Sequence, residues 1–190
     1  MLGAMSSGQS PCALCGRTRE LTSRYGLEIC GECDAGNFDA GLAEPWGATL
    51  TVQDQQEIDP KHYESALLHR LSVDVNLSAP SPCAMRLVPE HGGHKLVKLF
   101  KNELQVGDKA FDDAVYIADE HREATREFLG KPGVREAVLV LLREELARLE
   151  LRPGVVHYQA RHRGTFDPAA EGLLTALVCI AKHLEQMAVV

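Results

Sequence analysis

The stretch LSVDVNL, residues 71–77, alternates apolar and polar side chains without a break: Leu71, Val73, Val75 and Leu77 fall on one parity, Ser72, Asp74 and Asn76 on the other. A period of two marks a β-strand with one buried and one wet face. It puts a sheet of the antiparallel, half-solvated kind at the centre of the fold. Upstream, Leu50 and Val52 read as a short strand. Downstream, Pro80 and Pro82 end the central strand, and Met85, Leu87 and Val88 begin another. The turn Glu90-His91-Gly92-Gly93 then predicts a hairpin returning through Leu96, Val97 and Leu99. Val115 to Ala118 is a further strand, and a helix is predicted from Glu120 to Leu129, stopped by Gly130-Lys131-Pro132-Gly133.

Beyond that stop, Val134, Val138, Leu141, Leu142, Leu146 and Leu149 recur at helical spacing and predict one amphipathic helix. Leu149–Leu151 and Val155–Tyr158 flank Arg152-Pro153-Gly154, a turn that joins two strands or ends the helix before one. Asp167 and Pro168 carry the chemistry of an N-cap and first helical residue, predicting a last helix through about Ala188. Its apolar face, Leu173, Leu174, Leu177, Val178, Ile180, Ala181 and Leu184, is unusually broad. The fold class expected is α+β, a mainly antiparallel sheet covered on one face by helices.

The six cysteines add a second unit. Cys12 and Cys15 form one C-x2-C pair, Cys30 and Cys33 another, and Cys83 and Cys179 stand alone. Two such turns supply the four tetrahedral thiolates that Zn²⁺ accepts, and four sulfurs leave no ligand position for water. The expected cofactor is therefore a structural zinc on Cys12, Cys15, Cys30 and Cys33. Disulfides fit this spacing poorly, and neither pair sits in the strand-to-helix context inside a βαβ unit that a redox pair would use. Arg17, Arg19 and Arg24 lie between the pairs, either to offset the thiolate charge or as a small basic face.

The run CALCGRTRELTSRYGLEICGEC, residues 12–33, resembles small treble-clef or ribbon zinc modules, among them the zinc-binding module of ClpX-type protein unfoldases. The resemblance implies that these four cysteines are the ligands and that the module makes contacts with partners. No Walker motif follows, so an unfoldase is excluded. Gly107, Asp108, Phe111 and Asp112, within the run from Phe100 to Ile117, resemble the Gly-Asp-x-x-Phe-Asp turn of an uncharacterised bacterial domain. That likeness implies a bacterial chain and names no activity.

With 190 residues, 45% apolar and 25% charged, the composition is that of a globular protein. The longest apolar run, Leu173 to Leu184, contains Lys182 and His183 and is too short for a membrane span. A net charge of −7 disfavours general nucleic-acid affinity. Met1–Ser10 lacks signal-peptide features and is expected to be a disordered leader, residues 11–45 a zinc module and 46–190 the α+β domain, in a cytoplasmic protein.

Other constellations carry weaker chemistry. Asp108, Asp112 and Asp113 suit turn and cap formation better than a cation site. His91, His94, His157 and His162 match no metal or catalytic frame, and Cys179 reads as a buried small hydrophobe. Cys83 reads as structural, with His91 or His94 within conceivable reach across the hairpin. Lys95, Lys98 and Lys101, and Arg152, His157, Arg161, His162 and Arg163, form basic stretches expected on an edge or outer strand. The expected function is a non-enzymatic zinc-binding adaptor that contacts another protein, with a homodimer left open. The alternatives are a nucleic-acid-associated regulator using Arg17, Arg19 and Arg24, and a hydrolase drawing on His91, His94, His157 and the Asp108 group.

Overall fold

The computed structural model describes residues 11–13, 17–34, 49–58, 67–90, 104–119, 121–163 and 172–188. Strands β1 (Leu21–Arg24) and β2 (Leu27–Cys30) form a hairpin, followed by one helical turn, α1 (Gly31–Asp34). The rest builds a six-stranded sheet from β3 (Thr49–Ile58), β4 (Leu67–Asn76), β5 (Met85–Pro89), β6 (Val115–Asp119), β7 (Glu145–Arg152) and β8 (Val155–Arg163). Its order is β3-β4-β8-β7-β5-β6, and every neighbouring pair is antiparallel. Helices α2 (Lys109–Ala114), α3 (Arg122–Leu129), α4 (Val134–Leu141) and α5 (Leu173–Ala188) complete the α+β fold.

The alternation in β4 does what its period dictates. Leu71, Val73 and Val75 are buried, as are Val156, Tyr158 and Ala160 on β8 and Leu149 and Leu151 on β7. Helix α5 packs on β4 and β8, and α4 packs on β7 and α5. The fully buried Tyr158 donates its hydroxyl to the Leu141 carbonyl at 2.9 Å, satisfying an acceptor that the end of α4 leaves open. Residues Leu173 to Ala181 of α5 are all buried, so this helix is enclosed on every side over its first turns.

Several expectations change. Helix α4 ends at Leu141; residues 142–144 turn, and Glu145 to Leu149 belong to β7. Leu146, expected on the helical stripe, is 55% exposed with φ +54° at a register shift between Glu145 and Arg148. From there Ala147, Leu149 and Leu151 alternate inward, so sheet pairing overrides the helical period. Strands β7 and β8 form the hairpin that Arg152-Pro153-Gly154 allowed. The last helix is described from Leu173 behind Gly172, whose φ of +71° is not helical, and the expected start at Asp167 and Pro168 lies outside the described residues. Strand β5 pairs with β6 and with β7, and the expected hairpin return through Leu96, Val97 and Leu99 lies outside the described residues. Strand β8 is interior, so His157 and Arg161, on the opposite parity to the buried Val156, Tyr158 and Ala160, occupy the sheet's open face rather than an edge.

The Asp108 group acts as caps. Asp108 accepts from the amides of Ala110 and Phe111 at the start of α2, and Asp112 accepts from Val106 and Gly107. Phe111 is buried beneath them. Met1–Ser10 and the division expected at residues 45 and 46 lie outside the described residues.

Candidate metal centre

The hairpin turns through Tyr25 and Gly26, both with positive φ, +48° and +74°. Two left-handed residues in a two-residue connection follow the right-handed twist of the strands, and Gly26 takes that conformation at no steric cost. Leu27 and Ile29 alternate inward from β2, and Cys30 ends the strand where α1 begins. The first knuckle is strapped to the same strand. Cys12 donates its amide to Arg17 O at 3.0 Å, Ala13 to Glu28 O at 2.8 Å, and Pro11 bridges Thr18.

This wiring brings Cys12, Cys30 and Cys33 together. Their sulfurs all lie within 4.8 Å of one another, all three residues are buried, and none forms a disulfide. The Cys30 amide donates to Cys12 Sγ at 3.3 Å. An N–H aimed at sulfur favours the thiolate over the thiol and so the state that binds metal. The three cysteines are close enough to hold one metal ion. Cys15, expected as the fourth ligand, lies outside the described residues.

Charge around the cluster is arranged through Glu32, which sits between the second pair of cysteines. Arg19 and Arg17 both pair with it, Arg17 at 3.4 Å. The hydrogen bond from Arg19, with the charges of Arg19 and Arg17, holds the Glu32 carboxyl below the usual carboxylate range. Two of the three arginines between the cysteine pairs thus bring one net positive charge beside the thiols.

The hairpin tip is seated on the larger unit. A Cβ on Gly133, whose φ is +76°, would stand 2.3 Å from Tyr25 C and 2.5 Å from Tyr25 O, so only glycine admits this approach. A Cβ on Gly26 would meet Pro132 O at 2.8 Å. Cys179 Sγ on α5 donates to the Tyr25 carbonyl, and His183 Nε2 meets Pro132 O at 3.1 Å. Burial pushes the Cys179 thiol up to about 12, so it is inert at neutral pH, as a small buried hydrophobe should be. The buried side chains of hairpin and sheet form one continuous cluster.

The remaining candidates fall apart from this centre. Cys83 is buried, with the Ser81 hydroxyl donating to its carbonyl and its amide donating back, both at 3.1 Å. His157 Nδ1 lies 2.5 Å from Asp74 Oδ1 on paired strands. His91, His94, Lys95, Lys98 and Lys101, and the side chain of His162, lie outside the description. Sequence reasoning passed over Glu150, a carboxylate only 7% exposed between Arg148 and Arg152; the alternation Arg-x-Glu-x-Arg was the available signal. Among the described residues no helix is long and apolar enough to cross a membrane. No family model matches the chain, and neither a curated protein nor a solved structure matches it.

Proposed function

We propose that this chain is a non-enzymatic zinc-binding adaptor, in which Zn²⁺ on Cys12, Cys15, Cys30 and Cys33 fixes a hairpin module that contacts another protein. The observation that carries the reading is the convergence of three buried thiols, one of them accepting a backbone amide. Sulfur donors select zinc among the common divalent ions, and a complete sulfur shell gives the ion a folding role instead of a catalytic one. Zinc is the group these residues fit; it supplies a cross-link between two turns that burial of Leu27 and Ile29 alone would leave marginal.

Two observations weigh against the other readings. Arg17 and Arg19 are tied to Glu32, which reduces the basic face a nucleic acid would use. Asp108 and Asp112 spend their carboxylates on backbone amides, leaving a poor acid–base pair for hydrolysis.

Metal analysis of protein purified in reductant without chelator should find one zinc per chain. Cobalt substitution should give the visible spectrum of a tetrahedral all-sulfur site in the wild type and a changed one in Cys15→Ser. A spectrum indifferent to Cys15→Ser would remove the fourth ligand, and a chain without stoichiometric metal would overturn the reading. Crosslinking in cells should then place the partner against residues 17–33, with sedimentation of the pure protein separating a foreign partner from a second copy.

A further inference from the structure

The face of the sheet turned away from the helices carries a row of register partners across the strands: Ala118 on β6, Arg86 on β5, Glu150 on β7, His157 on β8 and Asp74 on β4. Glu150 is nearly buried in this row, which a carboxylate tolerates only when it is paired. Arg148 and Arg152, two residues to either side on the same face of β7, both pair with it. Burial works against the charged carboxylate, but the hydrogen bonds from Arg152 and Arg148 outweigh it and hold Glu150 below the ordinary range.

These groups line a cleft of about 370 Å³ with Arg86, Ala84 and Ala118. Among the described residues, three guanidiniums and one carboxylate leave an excess of two positive charges in the cleft, on a chain whose net charge is −7. Glu150 does not saturate them. Arg148 and Arg152 stay 41% and 58% exposed while paired, so both keep outward N–H groups free of Glu150. A guanidinium offers five N–H donors in a planar fork suited to carboxylate and phosphate oxygens.

We propose that this cleft binds a small ligand carrying at least two oxyanion charges, a phosphate ester or a polycarboxylate, clamped by Arg86, Arg148 and Arg152. Glu150 fixes two of the guanidiniums in place before the ligand arrives, which lowers the entropy cost of binding. The volume falls in the range of small-molecule sites. Among the described residues no aromatic side chain lines the cleft, so these residues offer no platform for stacking nucleic-acid bases. The site is independent of the metal centre and of the adaptor reading.

The test is calorimetric titration of the full, metal-loaded chain at low ionic strength with two probes, pyrophosphate and citrate. Saturable one-site binding is expected for at least one of them, weakened at least about tenfold by Arg86→Gln and again by Arg152→Gln, as loss of a charge-assisted hydrogen bond requires. Preference for pyrophosphate assigns a phosphoryl ligand, and preference for citrate a carboxylate one. Amide shift changes in the wild type should concentrate at residues 84–86, 118 and 148–152, a readout that needs no variant to fold. Absence of saturable binding, or shifts centred elsewhere, would overturn the proposal, as would unchanged affinity in the folded double variant Arg86→Gln/Arg152→Gln.

Discussion

Among the described residues, the segment 11–34 buries three thiols, Leu27 and Ile29, whereas the six-stranded unit buries side chains from β4 to β8 and from α2 to α5. The first region is too small to hold itself by apolar burial and, in the function proposed above, takes its stability from a metal cross-link; the second has a core large enough to fold on patterning alone. Yet the two meet at a backbone-to-backbone contact, Tyr25 against Gly133, and at the Cys179 bond to Tyr25. Different sources of stability thus do not make the parts mechanically separate. The thiol-bearing hairpin is anchored to a hydrophobically held domain at its tip, the end farthest along the strands from Cys30.

Removing the cross-link tests this contrast hardest. Structural zinc contributes roughly 10 kcal/mol or more to folding of small metal modules. Cys30→Ser should therefore strip hydrogen-exchange protection from Leu27 to Cys30 while β7 and β8 keep most of theirs. Simultaneous loss in both regions would show a single cooperative unit. Gly133→Val is the next largest change. It puts a side chain into the Tyr25 backbone at a left-handed φ and should cost about 2–4 kcal/mol in denaturant unfolding. The metal should stay bound, because the cysteines lie at the other end of the strands.

Tyr158→Phe probes the second region alone. It leaves the buried Leu141 carbonyl without its donor and should cost about 1–3 kcal/mol with no change in metal content. The smallest effect belongs to His183. Burial, opposed by its bond to Pro132, holds this imidazole below the ordinary 6.5. The unfolded chain therefore takes up the proton first, so the contribution is complete above pH 6.5 and is lost as pH falls below it. His183→Gln should flatten that part of the stability–pH curve, and an unchanged curve would show that the histidine is not the group responsible.

The central strand was legible because one face is wet, and water enforces the alternation seen in Leu71 to Leu77. The hairpin of β7 and β8 was legible from Arg152-Pro153-Gly154. The boundary at residues 142–145 was not, since Leu146 and Leu149 satisfy a helical period as well as a strand one, and only pairing with β8 decides between them. Asp167-Pro168 has the chemistry of a helix start, but the positive φ at Gly172 is a backbone choice that the apolar pattern does not encode. At the metal centre, spacing alone pointed to the cysteines. The pairing of Arg17 and Arg19 with Glu32, and the seat on Gly133, depend on contacts between segments far apart in the chain.

The enclosure of α5 from Leu173 to Ala181 has a practical corollary for shortening the protein. Tails are usually trimmed on the assumption that the last element is a detachable flank. Here the last described helix carries Cys179 and His183 toward the Tyr25–Pro132 seat, packs on β4 and β8, and through Glu185 accepts from the Ser78 amide at 2.7 Å. A deletion that enters this helix would withdraw support from the thiol-bearing arm and the strands in one step, so fragments meant to isolate either one should retain residues 173–188.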